Sequence, residues 1–218
     1  RPLYIAISVG EVSKLKFNDY FVQEGLAFRF TPFNYRVWGD AEGDNGYAVD
    51  IEKLYDNVMN RYKYGGLDTP GLYLDETTLR TCYYHRRLFA QLAKELIKQG
   101  DHVRARKVLT YAEQAVPAYN VPEIYESGSF DIATAYAALG EKTKAVTLFN
   151  HLIAESEDYI NWAFSLGNGR TGMMQNDCLY KFWQWNAYNE RMKEIDKESY
   201  EASNRRFEEK YALFTQII

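Results

Sequence analysis

With 218 residues and 46% hydrophobic content, the chain is long enough to bury the core of one large domain or two small ones, which excludes a disordered protein. A net charge of -4 argues against nucleic acid as the main ligand, because phosphate binding needs clustered Lys and Arg. The two cysteines supply no disulfide framework, and the sequence leaves open whether Cys82 and Cys178 pair.

Residues 1–74 are predicted to form a small α/β region. The apolar runs Leu3 to Val9 and Leu26 to Thr31 are typical of short strands. Apolar residues at helical spacing between Phe17 and Glu24 predict a helix, and therefore a strand, helix, strand unit with a right-handed crossover. Val49 to Tyr62 is predicted to be an amphipathic helix capped near Asp50.

Residues 75–218 are predicted to form a tetratricopeptide-like helical repeat region with C-terminal capping helices. Small residues let paired helices approach and large ones fill the gap, and this pattern occurs twice, forty residues apart. The offset exceeds the usual repeat of 34 by about six residues, which we place around Tyr119 to Ile124. We therefore expect a mainly α fold of the α+β class, a tetratricopeptide-like α-α superhelix with a small N-terminal β element. The recurring positions are Gly100, Ala105, Leu109 and Ala112, then Gly140, Ala145, Phe149 and Leu152.

The predicted repeats indicate a partner-binding groove. The first helix of each tetratricopeptide hairpin lines the concave face, so we expect seven residues to be exposed there: Arg87, Ala90, Lys94, Lys98, Ser127, Phe130 and Thr134. Three cations beside an aromatic ring suit an extended acidic peptide or a chain terminus. The hypothesis is therefore that a protein or peptide partner binds in this groove. We assign the binding to five residues: Arg87, Lys94, Lys98, Phe130 and Thr134. The alternative is that these are ordinary surface residues.

Other motifs favour structural roles over catalytic, cofactor or metal sites. Gly167, Gly169 and Gly172 have the spacing of a dinucleotide-binding loop, but the sequence predicts a helix before them where that loop needs a strand, which favours a helix end and turn. Asp40, Glu42 and Asp44 alternate like calcium ligands, but the glycine and bidentate acid of a calcium loop fall out of register, which favours a solvated loop.

Two further groups of residues have competing interpretations. Cys82 and His85 share a helix face, but neither the other histidines nor Cys178 provide the paired spacing of a zinc site, so core or surface roles are favoured. A basic cluster could face anionic lipid or an acidic partner, although such a run is more often a solvated face. Its members are Arg86, Arg87, Arg104, Arg106 and Lys107.

Three segments resemble a known family: RPLYIAIS at the start, GYAVDIEKLYDNVMNRYKYGGLD from Gly46, and LYLDE with the repeat pair. They are similar to the C-terminal soluble region of a Bacteroidetes membrane-protein family, domain-of-unknown-function family 2723, whose relatives include transmembrane protein O-mannosyltransferases. The resemblance covers essentially the whole chain. Its most specific part is the set Asp56, Asn57, Tyr62, Gly65 and Gly66.

The resemblance implies a role as an appended repeat domain on the periplasmic side of the inner membrane, next to the membrane domain of the same polypeptide. No position matches a catalytic residue of such enzymes. No stretch reaches the roughly 18 consecutive apolar residues of a membrane span, and the chain begins at Arg1, so we expect a soluble fragment of a longer protein. The leading hypothesis is a non-catalytic domain that binds protein partners or acceptor polypeptides. The alternatives are a part of the sugar-transfer site or a purely structural or oligomerisation domain.

Overall fold

The structure, a computed structural model, describes residues 1–9, 18–34 and 47–217. These residues are mainly helical, with a small four-stranded sheet near the N-terminus, which confirms the coarse fold class. The strands are β1 (Tyr4–Ala6), β2 (Phe21–Gln23), β3 (Ala27–Phe30) and β4 (Ala48–Val49). The helices are α1 (Ile51–Asp56), α2 (Glu76–Lys98), α3 (His102–Ala115), α4 (Ser129–Ala138), α5 (Lys142–Ser165), α6 (Asn168–Met173), α7 (Gln175–Ile195) and α8 (Lys197–Ile217).

The chain forms two compact units, Arg1–Pro122 and Glu123–Ile218. The first contains the sheet and helices α1 to α3, and the second contains α4 to α8. The sequence-based division between residues 74 and 75 separates kinds of secondary structure, and it stays a prediction. None of the helices in the described ranges is long and apolar enough to cross a membrane.

The sheet has the order β1-β3-β2-β4, in which β3 pairs antiparallel with β1 and β2, and β2 pairs parallel with β4. The predicted helix from Phe17 to Glu24 and its crossover are therefore wrong. In the described part of that segment, a short 3-10 turn at Asn18–Tyr20 leads into β2, which forms a hairpin with β3. All three residues of β2 are buried, so the strand lacks the polar alternation that would have distinguished it from a turn of helix.

The predicted helix after Val49 is confirmed. Asp50 caps α1 by accepting a hydrogen bond from the Lys53 backbone N–H at 3.1 Å, and the helix continues as a π-helical turn, Asn57–Arg61. Leu54 and Val58 are fully buried on its inner face. The predicted loop from Gly39 to Gly46, with the calcium-like acids Asp40, Glu42 and Asp44, lies outside the described residues.

Two helix hairpins follow at the predicted offset. Helix α2 packs on α3 in the first unit, and α4 packs on α5 in the second. Gly100 and Gly140 have left-handed φ values of 78° and 77°, and the N–H of each bonds the carbonyl three residues earlier, at Ile97 and Ala137. The six recurring apolar positions are at most 4% exposed: Ala105, Leu109, Ala112, Ala145, Phe149 and Leu152. The sequence repeat therefore corresponds to two hairpins with the same turn and the same buried pattern.

In the second unit, α7 packs against α5 and α8. Trp185, Tyr188 and Phe214 are fully buried between these helices, which explains the aromatic content of this part of the sequence. The Trp185 indole N–H donates to Ser203 at 2.8 Å, and the Ser203 hydroxyl donates to Asn189 at 2.6 Å. A short polar chain thus ties α7 to α8 inside an aromatic core.

Candidate functional site

Two cavities in the first unit share Tyr62 in their walls. The first, which we call the polar cavity, has a volume of about 350 Å³, and the second, the tyrosine cavity, about 510 Å³. The polar cavity is lined by Tyr4, Glu24, Ala27, Lys53, Asp56, Asn57, Arg61 and Tyr62. The tyrosine cavity is lined by Met59, Asn60, Tyr62, Lys63, Tyr64, Gly65, Gly66, Asp68, Tyr111, Gln114 and Ala115. All five residues of the most specific family-like stretch lie in these walls.

A buried carboxylate organises the polar cavity. Glu24 is 6% exposed and accepts hydrogen bonds from Lys53 Nζ at 2.8 Å, from Arg29 Nε and from the Tyr4 hydroxyl at 3.3 Å. Burial alone would raise the pKa of Glu24, but the hydrogen bonds from Lys53 and Arg29 outweigh it and hold the pKa below its ordinary value. Asn57 donates to the Glu24 backbone carbonyl at 2.6 Å. The wall is therefore charged, ordered and tied to the sheet.

Tyr62 reaches from the π-helical turn to the β-hairpin. Its hydroxyl oxygen accepts a hydrogen bond from the Leu26 N–H at 2.9 Å. The ring end lies so close to Gly25 that a Cβ there would be 2.1 Å from the hydroxyl oxygen, and Gly25 has φ 138°. Glycine at position 25 therefore permits both the hairpin turn and the seating of Tyr62.

Aromatic rings and amides form the tyrosine cavity. The Tyr64 hydroxyl donates to the Val58 carbonyl at 2.7 Å, and its ring lies 5.5 Å from Phe89 and 6.0 Å from Tyr111 between centroids. Asn60 and Gln114 add amide groups to the wall. This combination of ring faces with a few polar groups is typical of a pocket for a small polar ligand.

A connecting segment holds the outer wall of the tyrosine cavity. Asn120 donates to the carbonyls of Leu67 at 2.7 Å and Thr69 at 2.6 Å, and the Tyr119 hydroxyl donates to the Asp68 carbonyl at 2.6 Å. Asn120 and Tyr119 belong to the residues predicted to be inserted between the repeats. These two side chains therefore help to shape this cavity.

Arg86 holds the segment from Val116 to Pro122, which includes Tyr119 and Asn120, in place. Its guanidinium donates to the carbonyls of Val116 at 3.0 Å, Val121 at 2.5 Å and Pro122 at 2.6 Å. The residue is only 3% exposed. The expectation that Arg86 belongs to a surface basic cluster is therefore wrong, because three backbone carbonyls take the place of water around its charge.

His85 borders the tyrosines and should make stability depend on pH. Its ring contacts Tyr62 and Tyr64, its Nδ1 is buried without a hydrogen-bond partner in the described structure, and burial lowers its pKa below 6.5. The unfolded chain binds a proton more readily, so stability should fall as the pH drops below about 6.5. We expect His85→Phe to flatten the dependence of the unfolding free energy between about pH 7 and pH 5. Urea titrations at several pH values, followed by NMR at amides of the first unit, measure this, and an unchanged slope, equal to that of the exposed His102→Gln, contradicts it.

The predicted groove residues lie in both units. In the first, Arg87 is exposed with its guanidinium 5.4 Å from the Tyr84 ring centroid, Lys98 donates to Glu95 at 2.7 Å, and Lys94 is half-buried. Ala90 is only 1% exposed, so its predicted exposure is wrong.

In the second unit, Phe130 is half-buried. The Thr134 hydroxyl donates a hydrogen bond to the backbone carbonyl of Phe130 at 2.9 Å. Ser127 is buried, contrary to expectation, because its hydroxyl bonds Ile124 and Ser129.

Sequence reasoning missed an exposed aromatic group in the second unit. Trp183 is 52% exposed and Tyr180 is 44% exposed, and both rings contact Tyr125 next to Phe130. The signal was present as the aromatic-rich run from Leu179 to Met192, but its helical spacing alone does not separate the buried rings from the exposed ones.

The structure places the glycine motif at a helix end and both cysteines in the interior. Gly167, with φ 83°, lies between the end of α5 and the start of α6, which confirms the helix-end interpretation of the glycine motif. Cys82 and Cys178 are free and buried, and burial raises the pKa of each thiol. Within the described ranges, no three His, Cys, Asp or Glu side chains come together as metal ligands. Comparison with known protein families, with curated proteins and with solved structures finds no match for this chain.

Proposed function

We propose that the chain is a non-catalytic recognition domain of a membrane-bound glycosyltransferase-like protein related to domain-of-unknown-function family 2723. It has a tetratricopeptide-like superhelix, lies on the periplasmic side of the inner membrane and binds protein partners or acceptor polypeptides. The observation that supports this most is the pair of helix hairpins with equivalent turns at Gly100 and Gly140. Such hairpins share cores by stacking and leave one face for partners.

The proposed groove recognises acidic polypeptide through the first helix of the first hairpin. The exposed Arg87 and Lys98 lie eleven residues apart on α2, three helical turns, with Lys94 between them. Cations spaced in this way suit carboxylates on an extended chain.

Reversing the charge of Arg87 and Lys98 together should weaken binding of an acidic peptide by about tenfold or more, because attraction becomes repulsion at two positions. Fluorescence polarisation with a labelled Gly/Ser peptide carrying interspersed glutamates measures this. In the matched control, the charges of the exposed Arg106 and Lys107 on α3 are reversed instead, which changes the net charge by the same amount. Equal loss in both double variants would mean that only overall charge matters and would refute the groove.

In cells, glycoproteomics of strains lacking the whole gene or only this domain tests the wider role. If protein mannosylation or a related glycan modification is lost in both strains, while the remaining membrane part is still present, the domain recruits acceptors. Loss only in the full deletion refutes a role in transfer, and no change in either strain refutes the glycosyltransferase-like assignment.

A second candidate function is contact with a glycan in the tyrosine cavity. It is favoured by the rings of Tyr62, Tyr64 and Tyr111, which offer flat faces to a sugar, and by the amides of Asn60 and Gln114 beside them. Saturation-transfer NMR with methyl α-mannoside on the whole chain tests it. Transfer that disappears in Gln114→Ala supports sugar binding, and transfer that is absent or unchanged by this substitution contradicts it.

A further inference from the structure

Four aromatic side chains of the second unit form one continuous group, which we call the aromatic surface. They are Tyr125, Phe130, Tyr180 and Trp183. The rings of Tyr180 and Trp183 stack at 5.7 Å with an interplanar angle of 12°, and both are exposed. The Tyr125 ring stands nearly perpendicular to both, at 6.5 Å and 5.4 Å. Ring faces and edges are thus presented together to solvent.

The aromatic surface is continuous with the core, which fixes its orientation. Tyr125 contacts Phe130 at 5.7 Å and the fully buried Tyr188 at 6.3 Å, and Phe130 contacts the buried Phe149 at 6.0 Å. Side chains held in this way lose little conformational entropy when a ligand binds.

The surroundings of the aromatic surface are acidic. The Glu126 carboxylate is held by the Gln184 amide at 3.0 Å. Glu126 directly follows Tyr125 and Gln184 directly follows Trp183, so this hydrogen bond joins the two segments that carry the aromatic rings. Burial raises the pKa of Tyr125, and the negative charges of Asp131 and Glu126 add to that effect. Lys181, the lysine beside Tyr180 on α7, is paired with both oxygens of Glu155 at 3.0 Å.

The second unit as a whole is also negatively charged. It contains 15 Asp and Glu against 10 Lys and Arg, a net charge of -5, whereas the first unit contains 15 against 16, a net charge of +1. A cationic ligand is therefore attracted to the second unit, and an acidic one is repelled from it.

We propose that the aromatic surface binds a Lys or Arg side chain carried on an extended segment of a partner polypeptide. Cations are attracted to the faces of Trp and Tyr rings, and a fixed carboxylate beside the rings gives the ammonium or guanidinium group a charged hydrogen-bond acceptor. The binding site stands on the second unit alone and goes beyond the proposed function, because it selects the charge opposite to that expected at Arg87 and Lys98.

Two-dimensional ¹⁵N–¹H NMR of the whole chain tests the proposal, because the indole N–H groups of its 4 tryptophans give separate signals and Trp183→Phe assigns one of them. The probe is a Gly/Ser peptide with interspersed lysines, compared with the same peptide carrying glutamates. We expect the lysine peptide to shift the Trp183 signal. Its affinity should fall about tenfold in Trp183→Leu, with a smaller loss in Glu126→Gln. Trp162→Leu removes a similarly exposed tryptophan on α5 and should leave the affinity unchanged.

Three outcomes would overturn the inference: equal binding of the lysine and glutamate peptides, equal loss in Trp162→Leu, or an unmoved Trp183 signal. Self-association of the chain at the aromatic surface without peptide binding, seen by analytical ultracentrifugation, would also overturn it. If the acidic peptide does not bind at Arg87 and Lys98, the proposed groove is refuted, but this inference is not affected. The two ideas therefore fail separately.

Discussion

Replacing Arg86 by methionine should lower the free energy of unfolding of the first unit by about 3–5 kcal/mol. The substitution keeps much of the side-chain volume but removes the donors to Val116, Val121 and Pro122. Those carbonyls lie around a side chain that is 3% exposed, so water cannot readily replace the lost hydrogen bonds. The effect should therefore exceed that of an ordinary surface charge.

Hydrogen exchange is the appropriate measurement for Arg86→Met, because a chain with two units need not unfold in one step. Protection should fall most for amides of residues 116–122 and of the cavity wall that Asn120 holds. Arg87→Met is the matched control, since the Arg87 side chain is exposed and its guanidinium lies over the Tyr84 ring, and it should cost less than about 1 kcal/mol. Equal losses in the two variants would show that the three carbonyls contribute no special stability.

The helix hairpins could be predicted because their information is local. Gly100 and Gly140 mark the ends of helices, and the small and large residues that follow them repeat at a fixed offset. The cap at Asp50 could be predicted for the same reason: the side-chain acceptor and the Lys53 N–H group that it serves are three residues apart.

The sheet was predicted only in part because a strand's pairing depends on distant residues. Val22 lies opposite Arg29 on one side and Ala48 on the other, so β2 is covered along both edges and buried on its faces. Its three residues show no alternation, and the nearby Tyr20 completes an accidental helical spacing. Only the partners of β2 distinguish the two alternatives.

The cavities could not be predicted, because their walls combine segments far apart in the sequence. Tyr62 meets Leu26 across 36 residues, and Asn120 meets Leu67 across 53. Arg86 shows the same difficulty for charge: its position in a basic run favours the surface, whereas carbonyls at least 30 residues away in the sequence accept hydrogen bonds from it in the interior. The groove stays a prediction because its residues are divided between the two units.

Replacing Gly25 by alanine should destabilise the first unit by about 2–4 kcal/mol, the sum of backbone strain and a lost hydrogen bond. A φ of 138° is unfavourable for any residue with a Cβ, and that Cβ would lie 2.1 Å from the Tyr62 hydroxyl oxygen. Tyr62 must then leave its place, which breaks its hydrogen bond with Leu26 and opens the wall shared by both cavities. Hydrogen exchange at Leu26 should report this directly.

A double-mutant cycle separates the two contributions. In Tyr62→Phe the overlapping hydroxyl is absent and the hydrogen bond is already lost, so Gly25→Ala should cost about 1 kcal/mol less there than in the natural sequence. Gly66→Ala provides the backbone control, since its φ is 77° and the nearest atom to an added Cβ is 3.7 Å away, at Thr69. If the cost of Gly25→Ala is the same with and without the Tyr62 hydroxyl, backbone strain explains the whole effect. The contact between Gly25 and Tyr62 would then not determine the position of the tyrosine between the cavities.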